Sequence, residues 1–256
     1  FLHEEWAGRR LHSPHILKIL ERPRRRSCLY FVTEYIEGAT LRQWMSDHPR
    51  PSIIEARKIV NQIATGLMAF HRMEMIHRDL KPDNVLIDPH GTVKIIDFGA
   101  SKIAGIEEIA VPWARSPLLG TRNYTAPEYL NGASGTERSD LFSLGVIAYE
   151  MLTGKPPYKE ELNVRNLTRI SYIPARRRNP DIPVWLDKTL EKAIHKDPVR
   201  RYTVLSEFLY DLSHPNAAFL SKETPPLLER DPVVFWKGLA LLFFLANVFL
   251  LYLFSR

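Results

Sequence analysis

The octapeptide His77-Arg78-Asp79-Leu80-Lys81-Pro82-Asp83-Asn84 constrains this chain more tightly than any other feature. Asp97-Phe98-Gly99 and then Ala126-Pro127-Glu128 follow it. Either three-letter motif alone arises by chance; the series in this order and at these distances is very specific. The residues around it say where it sits. Ile53–Glu74 reads as a long helix with Ile59, Ile63, Leu67 and Phe70 on one face. Val85–Ile87 and Val93–Ile96 read as short strands joined by the turn Asp88-Pro89-His90-Gly91. Asn84 and Asp97 therefore each stand beside a strand. The stretch from Asp97 to Glu128, about thirty residues, reads as one loop, and loops that long inside a compact domain usually carry function.

Upstream, Phe1–Leu11 has a helical apolar pattern that the Ser13-Pro14 step stops. Ile16–Leu20 and Cys28–Ile36 read as two strands of a hairpin with a polar Arg/Pro loop between them. Leu41–Met45 reads as a short helix. Downstream, helices are expected at Asp140–Leu152, Val184–His195 and Leu205–Leu212. Residues 213–232 are polar and proline-containing, which reads as a linker. The composition, 45% hydrophobic and 25% charged, suits a chain with a proper core. Much of the net charge of +6 comes from Arg24–Arg26 and Arg176–Arg178. Neither run is interleaved with aromatic residues, so both read as solvated loops and no nucleic-acid partner is expected. The single cysteine, Cys28, forms no internal disulfide and suits a reducing compartment.

The motif series resembles the protein kinase superfamily, over residues 1 to about 213. The resemblance implies an α+β, two-lobe fold with a partial β-rich N-lobe and a mainly helical C-lobe. It implies a domain at 1–213, with an N-lobe remnant at 1–34 and the hinge and C-lobe at 35–213. It also implies ATP and Mg²⁺ as cofactors and protein substrates as partners. Asp79 would accept the proton of the incoming hydroxyl and orient it. Lys81 would neutralise charge on the transferring phosphate, and lysine at this place resembles the serine/threonine branch. Asn84 and Asp97 would supply hard oxygen ligands to Mg²⁺. Thr121 would hydrogen-bond the catalytic Asp and Lys. Thr33 would guard the back of the adenine pocket, with Glu34 and Ile36 as hinge contacts and Leu86 against the ring. His77 is expected to pack in the core rather than act as a base.

The same resemblance assigns regulation and structure. Arg78 would pair with a phosphate on the long loop, with Ser116 as acceptor and Ser101 less well placed. Glu128 would form a buried ion pair with Arg201, and Asp140 would cap the catalytic-loop backbone from a buried helix. A role for Asp83 in attracting basic substrate residues is the weaker alternative to a solvated loop position. Glu4 is the best match to the helix glutamate that pairs a strand lysine, and Glu5 the second. The glycine-rich loop and that lysine are not in the sequence, and with Phe1 in first place they are expected upstream of it. A non-catalytic membrane scaffold that binds partners is the competing reading.

Val233–Phe254 is a run of 22 residues with one charge, Lys237, and one amide, Asn247. At about 1.5 Å per residue it reaches about 33 Å, against a hydrocarbon core of roughly 30 Å. Trp236 and Tyr252 suit the two interfaces, and Lys237 could snorkel outward. A single-pass membrane anchor at 233–254 is therefore expected, behind a linker at 214–232, with the kinase domain on the cytoplasmic side. The arrangement resembles bacterial membrane-tethered kinases, some of which carry an upstream phosphatase domain; an upstream phosphatase or sensor domain is compatible with this chain.

Overall fold

The computed structural model describes residues 2–20, 28, 30–97, 99, 101–103, 122–220 and 232–254, with backbone alone at 2–4, 102–103, 122, 220, 232 and 248–254. The chain divides into two compact units, Phe1–Asn216 and Ala217–Arg256.

In the first unit, helix α1 (Leu2–Arg10) leads to strand β1 (Ile19–Leu20), which pairs antiparallel with β2 (Val32–Thr33). A second sheet has β5 (Val85–Ile87) at its centre, flanked by β3 (Ala39–Thr40) and β6 (Val93–Ile95), all antiparallel. Its register sets Leu86 opposite Thr40 on one side and Lys94 on the other. Gly38 precedes β3 because the backbones meet there: a Cβ would overlap the carbonyl oxygen of Ile87. β4 (Met75–Ile76) pairs antiparallel with β7 (Lys102–Ile103).

Helices form the core of this unit. The hydroxyl of Thr40 caps α2 (Leu41–Asp47) by accepting the Gln43 N–H at 3.2 Å. Helix α3 (Ile53–Arg72) begins in a reciprocal cap: the Ser52 hydroxyl accepts the Glu55 N–H, and the Glu55 carboxylate accepts the Ser52 N–H. Its inward face, with Ile59, Ile63, Leu67 and Phe70, is buried. Helix α4 (Glu137–Thr153) is buried almost all round, as a helix in the middle of a domain must be. It packs against α3 and against α5 (Val184–Ala193), and α6 (Leu205–Ser213) packs on α5 and α3. Gly145 permits the approach of α5, since a Cβ there would lie 2.7 Å from Cγ2 of Ile194. Gly154 closes α4 in the left-handed conformation at φ 70°.

The expected helices and strands coincide with observed elements, with ends shifted by a few residues. The stretch 97–128 is not one loop, however. It contains β7, the 3-10 helix Arg122–Tyr124 and the start of a second, Pro127–Asn131. Strands of two residues, such as β4 and β7, are too short to show an alternating pattern.

The second unit has a short helix α7 (Ala217–Leu220), within the segment read as linker, and helix α8 (Pro232–Phe254). The expected membrane span is not found: among the described residues no helix is long and apolar enough to cross a membrane. Side chains on α8 are described from Val233 to Asn247. Within that stretch Val233, Val234, Trp236 and Leu241–Leu245 are exposed.

Candidate active site

The loop from His77 to Asn84 is built on the end of α3 and the start of β5. Asp79 lies at its middle. Its Oδ2 accepts from Lys81 Nζ at 2.7 Å and from Asn84 Nδ2 at 3.0 Å, and Asn84 Nδ2 also reaches the Asp79 carbonyl at 2.9 Å. Three side chains within six residues thus form one cluster, and an N–H donor from each neighbour fixes the orientation of the carboxylate. The β5–β6 hairpin brings in the fourth residue. Val85 pairs with Ile95, and the Ile96 N–H donates to the Asn84 carbonyl at 3.0 Å, so Asp97 is the next residue after the one that faces Asn84. Asp97 is exposed, and its Oδ1 accepts the Gly99 N–H at 3.0 Å.

The loop is held from beneath. Asp140, in the first turn of α4 and 1% exposed, accepts the His77 N–H at 2.9 Å and the Arg78 N–H at 3.0 Å. Arg78 adopts φ 71°, which a residue with a side chain rarely holds without such anchoring. The His77 ring is fully buried and meets Phe70 edge-on at 5.3 Å. Burial pushes its imidazole below the ordinary histidine range, and the charges of Asp140, Asp79 and Asp97 oppose this only in part. A ring so placed is a neutral packing group.

A second buried pair lies below. Arg201 donates through both Nη atoms to Glu128, at 2.8 and 2.7 Å, and its remaining N–H groups reach the carbonyls of His195, Arg138 and Lys196. The Ser139 hydroxyl also donates to Glu128, at 2.7 Å. Burial alone would raise the Glu128 carboxyl, but the hydrogen bonds and charge of Arg201 outweigh it and hold the group below its ordinary value.

On the other side, Thr33 in β2 is half-buried opposite Ile19, and Leu86 is half-buried in β5. Glu34 follows β2. Its N–H donates to the Lys18 carbonyl, and its carboxylate accepts from the Lys18 N–H at 2.9 Å and from Lys94 Nζ at 2.6 Å. Burial would raise this carboxyl, yet these contacts lower it. Ile36 is half-buried in the connection that follows. Glu4 lies in α1 with its side chain outside the described residues; Glu5 is buried and pairs with Arg9 at 2.9 Å. Thr121 and Ser116 lie outside the described residues, and Ser101 is buried.

Sequence reasoning missed two features. Lys94 ties the Glu34 segment to β6, and only the strand register reveals it. Arg42 of α2 donates to the Tyr124 hydroxyl at 2.6 Å and to Glu150 at 3.2 Å, and lies 3.4 Å from Asp83. The Tyr124 hydroxyl also donates to Glu150. Burial and the Glu150 charge push the Tyr124 phenol well above the ordinary tyrosine range, so it remains a donor.

The Asp79 carboxylate is thus oriented by a lysine and an amide, and Asp97 stands two residues past the end of β6. Asn84 and Asp97 carry oxygens of the kind Mg²⁺ takes; among the described residues no group of three or more His, Cys, Asp or Glu side chains is placed to hold a metal ion. Residues 1–211 match the protein kinase domain. The chain belongs to the protein kinase family. It is similar to the serine/threonine-protein kinase PrkC of Bacillus subtilis, 31% identical over 219 residues, covering 83% of this chain and 33% of that protein. It is similar also to the serine/threonine-protein kinase PknB of Mycobacterium leprae, 37% identical over 187 residues, covering 72% of this chain and 30% of that one. A probable serine/threonine-protein kinase PknB of Lactococcus lactis is 32% identical over 216 residues, covering 83% and 34%. The chain spans about a third of the length of these relatives.

Proposed function

We propose that the chain transfers the γ-phosphoryl group of ATP to serine and threonine hydroxyls of protein substrates. The observation that carries this reading is the Asp79 carboxylate, held by Lys81 at 2.7 Å and Asn84 at 3.0 Å. In the reaction the substrate oxygen bonds to the γ-phosphorus, the bond from that phosphorus to the β,γ-bridging oxygen breaks, and ADP leaves. Asp79 orients the hydroxyl and takes its proton. Lys81 offsets charge on the transferring group, which is where catalysis of phosphoryl transfer mostly lies. Asn84 and Asp97 would hold Mg²⁺, which supplies neutralisation of phosphate charge. Thr33, Glu34, Ile36 and Leu86 would receive the adenine, with the glutamate of α1, Glu4, on the phosphate side. Thr121 would brace Asp79 and Lys81. A phosphate on Ser116, paired with Arg78, would order the loop and raise activity.

The relatives' names support the serine/threonine class. In the purified full-length protein, Asp79→Asn and Asp97→Asn should each abolish transfer from radiolabelled ATP, and phosphoamino-acid analysis of the active protein should yield phosphoserine or phosphothreonine. Phosphorylation unchanged in either variant, or mainly phosphotyrosine, would overturn the reading; a wild-type protein without transfer favours the non-catalytic scaffold.

The reading includes attachment to a membrane through α8, with the kinase domain in the cytoplasm. Its support is the apolar run Val233–Phe254, a helix with backbone continuous from Pro232 to Phe254, and the exposed side chains at Leu241–Leu245. Asn247 donates to the Phe243 carbonyl at 2.8 Å, so its amide is provided for within the helix.

A further inference from the structure

We infer that His71 is a positioning residue, which acts through Asp140 to hold the backbone that aims Asp79. The inference rests on the kinase reading above. His71 sits in the last turn of α3, with its side chain 8% exposed. Its Nε2 is 2.8 Å from Asp140 Oδ2, the same oxygen that accepts the His77 N–H at 2.9 Å, while Oδ1 accepts the Arg78 N–H at 3.0 Å. An ionised carboxylate only accepts, so Nε2 carries the hydrogen and donates. The other nitrogen, Nδ1, faces Glu137 Oε2 at 3.9 Å.

Three groups among the described residues donate to Asp140, and they are not equivalent. Two are backbone N–H groups of the loop being positioned. The third, from His71, comes from a long, capped helix packed on the core. With the loop contacts alone, the Asp140 carboxylate can turn about its terminal torsion and carry the loop with it. The imidazole fixes the carboxylate plane against α3, so α3 and α4 together define where residues 77 and 78 lie. That matters because Arg78 is held at φ 71°, a conformation that persists only when its surroundings over-determine it. Asp79 is the next residue. A loosened carboxylate lets Arg78 relax and swings Asp79 away from the substrate oxygen, and displacements of about 1 Å from the reacting geometry lower rates on the order of a hundredfold.

A purely structural role for His71 predicts something else: lower stability, with the surviving folded protein as active as before. Three variants of the full-length protein separate the two. His71→Gln keeps an N–H near the place of Nε2; His71→Asn keeps a polar amide that is too short to reach; His71→Leu keeps the bulk without a donor. Amide hydrogen exchange at His77 and Arg78 is read beside kcat, the KM for ATP and Tm. In His71→Asn and His71→Leu, exchange at these two amides should quicken and kcat should fall, both on the order of tenfold or more for a lost hydrogen bond to a buried charge. The KM for ATP should stay within about twofold, since the nucleotide contacts are untouched. His71→Gln should recover most of both losses. The inference is overturned if exchange at His77 and Arg78 is unchanged in His71→Asn, or if Gln and Asn behave alike. The exchange measurement needs no activity. A wild-type protein that fails to transfer phosphate therefore counts against the kinase reading alone, and one that transfers with unaltered exchange in His71→Asn counts against His71 alone.

Discussion

Arg201 uses all of its N–H donors inside the protein, two on the Glu128 carboxylate and three on backbone carbonyls. A pair so complete is stable as found and costly to break, because removing one partner leaves a buried charge without compensation. Arg201→Ala should lower stability by about 3–5 kcal/mol, read as the midpoint shift in urea unfolding. Arg201→Lys should recover little of it, since an ammonium cannot present the planar fork that meets both oxygens. A loss within experimental error for Arg201→Ala would show that the pair holds nothing. The same pair fixes a pH dependence. Glu128 is held below its ordinary value in the folded protein, so the unfolded chain binds its proton first as pH falls. Its contribution is fully present above the unfolded value of about 4.3 and is lost as pH drops through the lower folded value. Glu128→Gln should remove part of the acid-side slope of stability against pH. An unaltered slope would mean that other carboxylates carry it.

At the scale of elements, α3 and α4 bear most on the site, because the last turn of α3 leads toward the loop that holds Asp79 and Asp140, in the first turn of α4, anchors it. The cap at Ser52 satisfies backbone N–H groups that a helix start leaves open. Ser52→Ala should cost about 1 kcal/mol, while Ser52→Asp should stay within a few tenths, measured by thermal unfolding. Gly145→Ala is a packing test. The added methyl would stand 2.7 Å from Ile194 Cγ2 and 3.1 Å from Ala193 Cβ, on the α4–α5 contact. Overpacking of this kind costs roughly 1–3 kcal/mol, whereas alanine ordinarily favours a helix interior by about 1 kcal/mol over glycine. Destabilisation identifies the close approach as the stronger effect; a more stable Gly145→Ala protein would show that α5 yields.

At the scale of the whole molecule, the chain is two units with different surfaces. Among the described residues the first buries most of its apolar side chains, though Tyr35, Val199 and others stay exposed, while the second displays them along α8. If α8 is an anchor, the full-length protein should pellet with membranes and resist carbonate extraction, and deleting 233–256 should release it. Full-length protein that stays in the supernatant without detergent would sink the anchor.

Much of this was legible in the sequence, for reasons of distance along the chain. Asp79, Lys81 and Asn84 lie within six residues, so a single loop suffices to gather them. Asp97 joins through a hairpin whose turn is written in Asp88-Pro89-His90-Gly91. Periodicity marked α3 and α8 because one face, or every face, is apolar. Pattern says which residues turn inward, however, and not which partner each one meets. The contacts of Asp140 with His71, His77 and Arg78 span 62 to 69 residues, and that of Arg42 with Tyr124 spans 82. Resemblance to a family suggested some of these partners; the rest, His71 among them, were settled only when the helices packed. A buried polar group must find its hydrogen bonds wherever the packed elements bring a donor or acceptor. The residues of the site are thus fixed locally, and the posture in which they are held is decided by the tertiary structure.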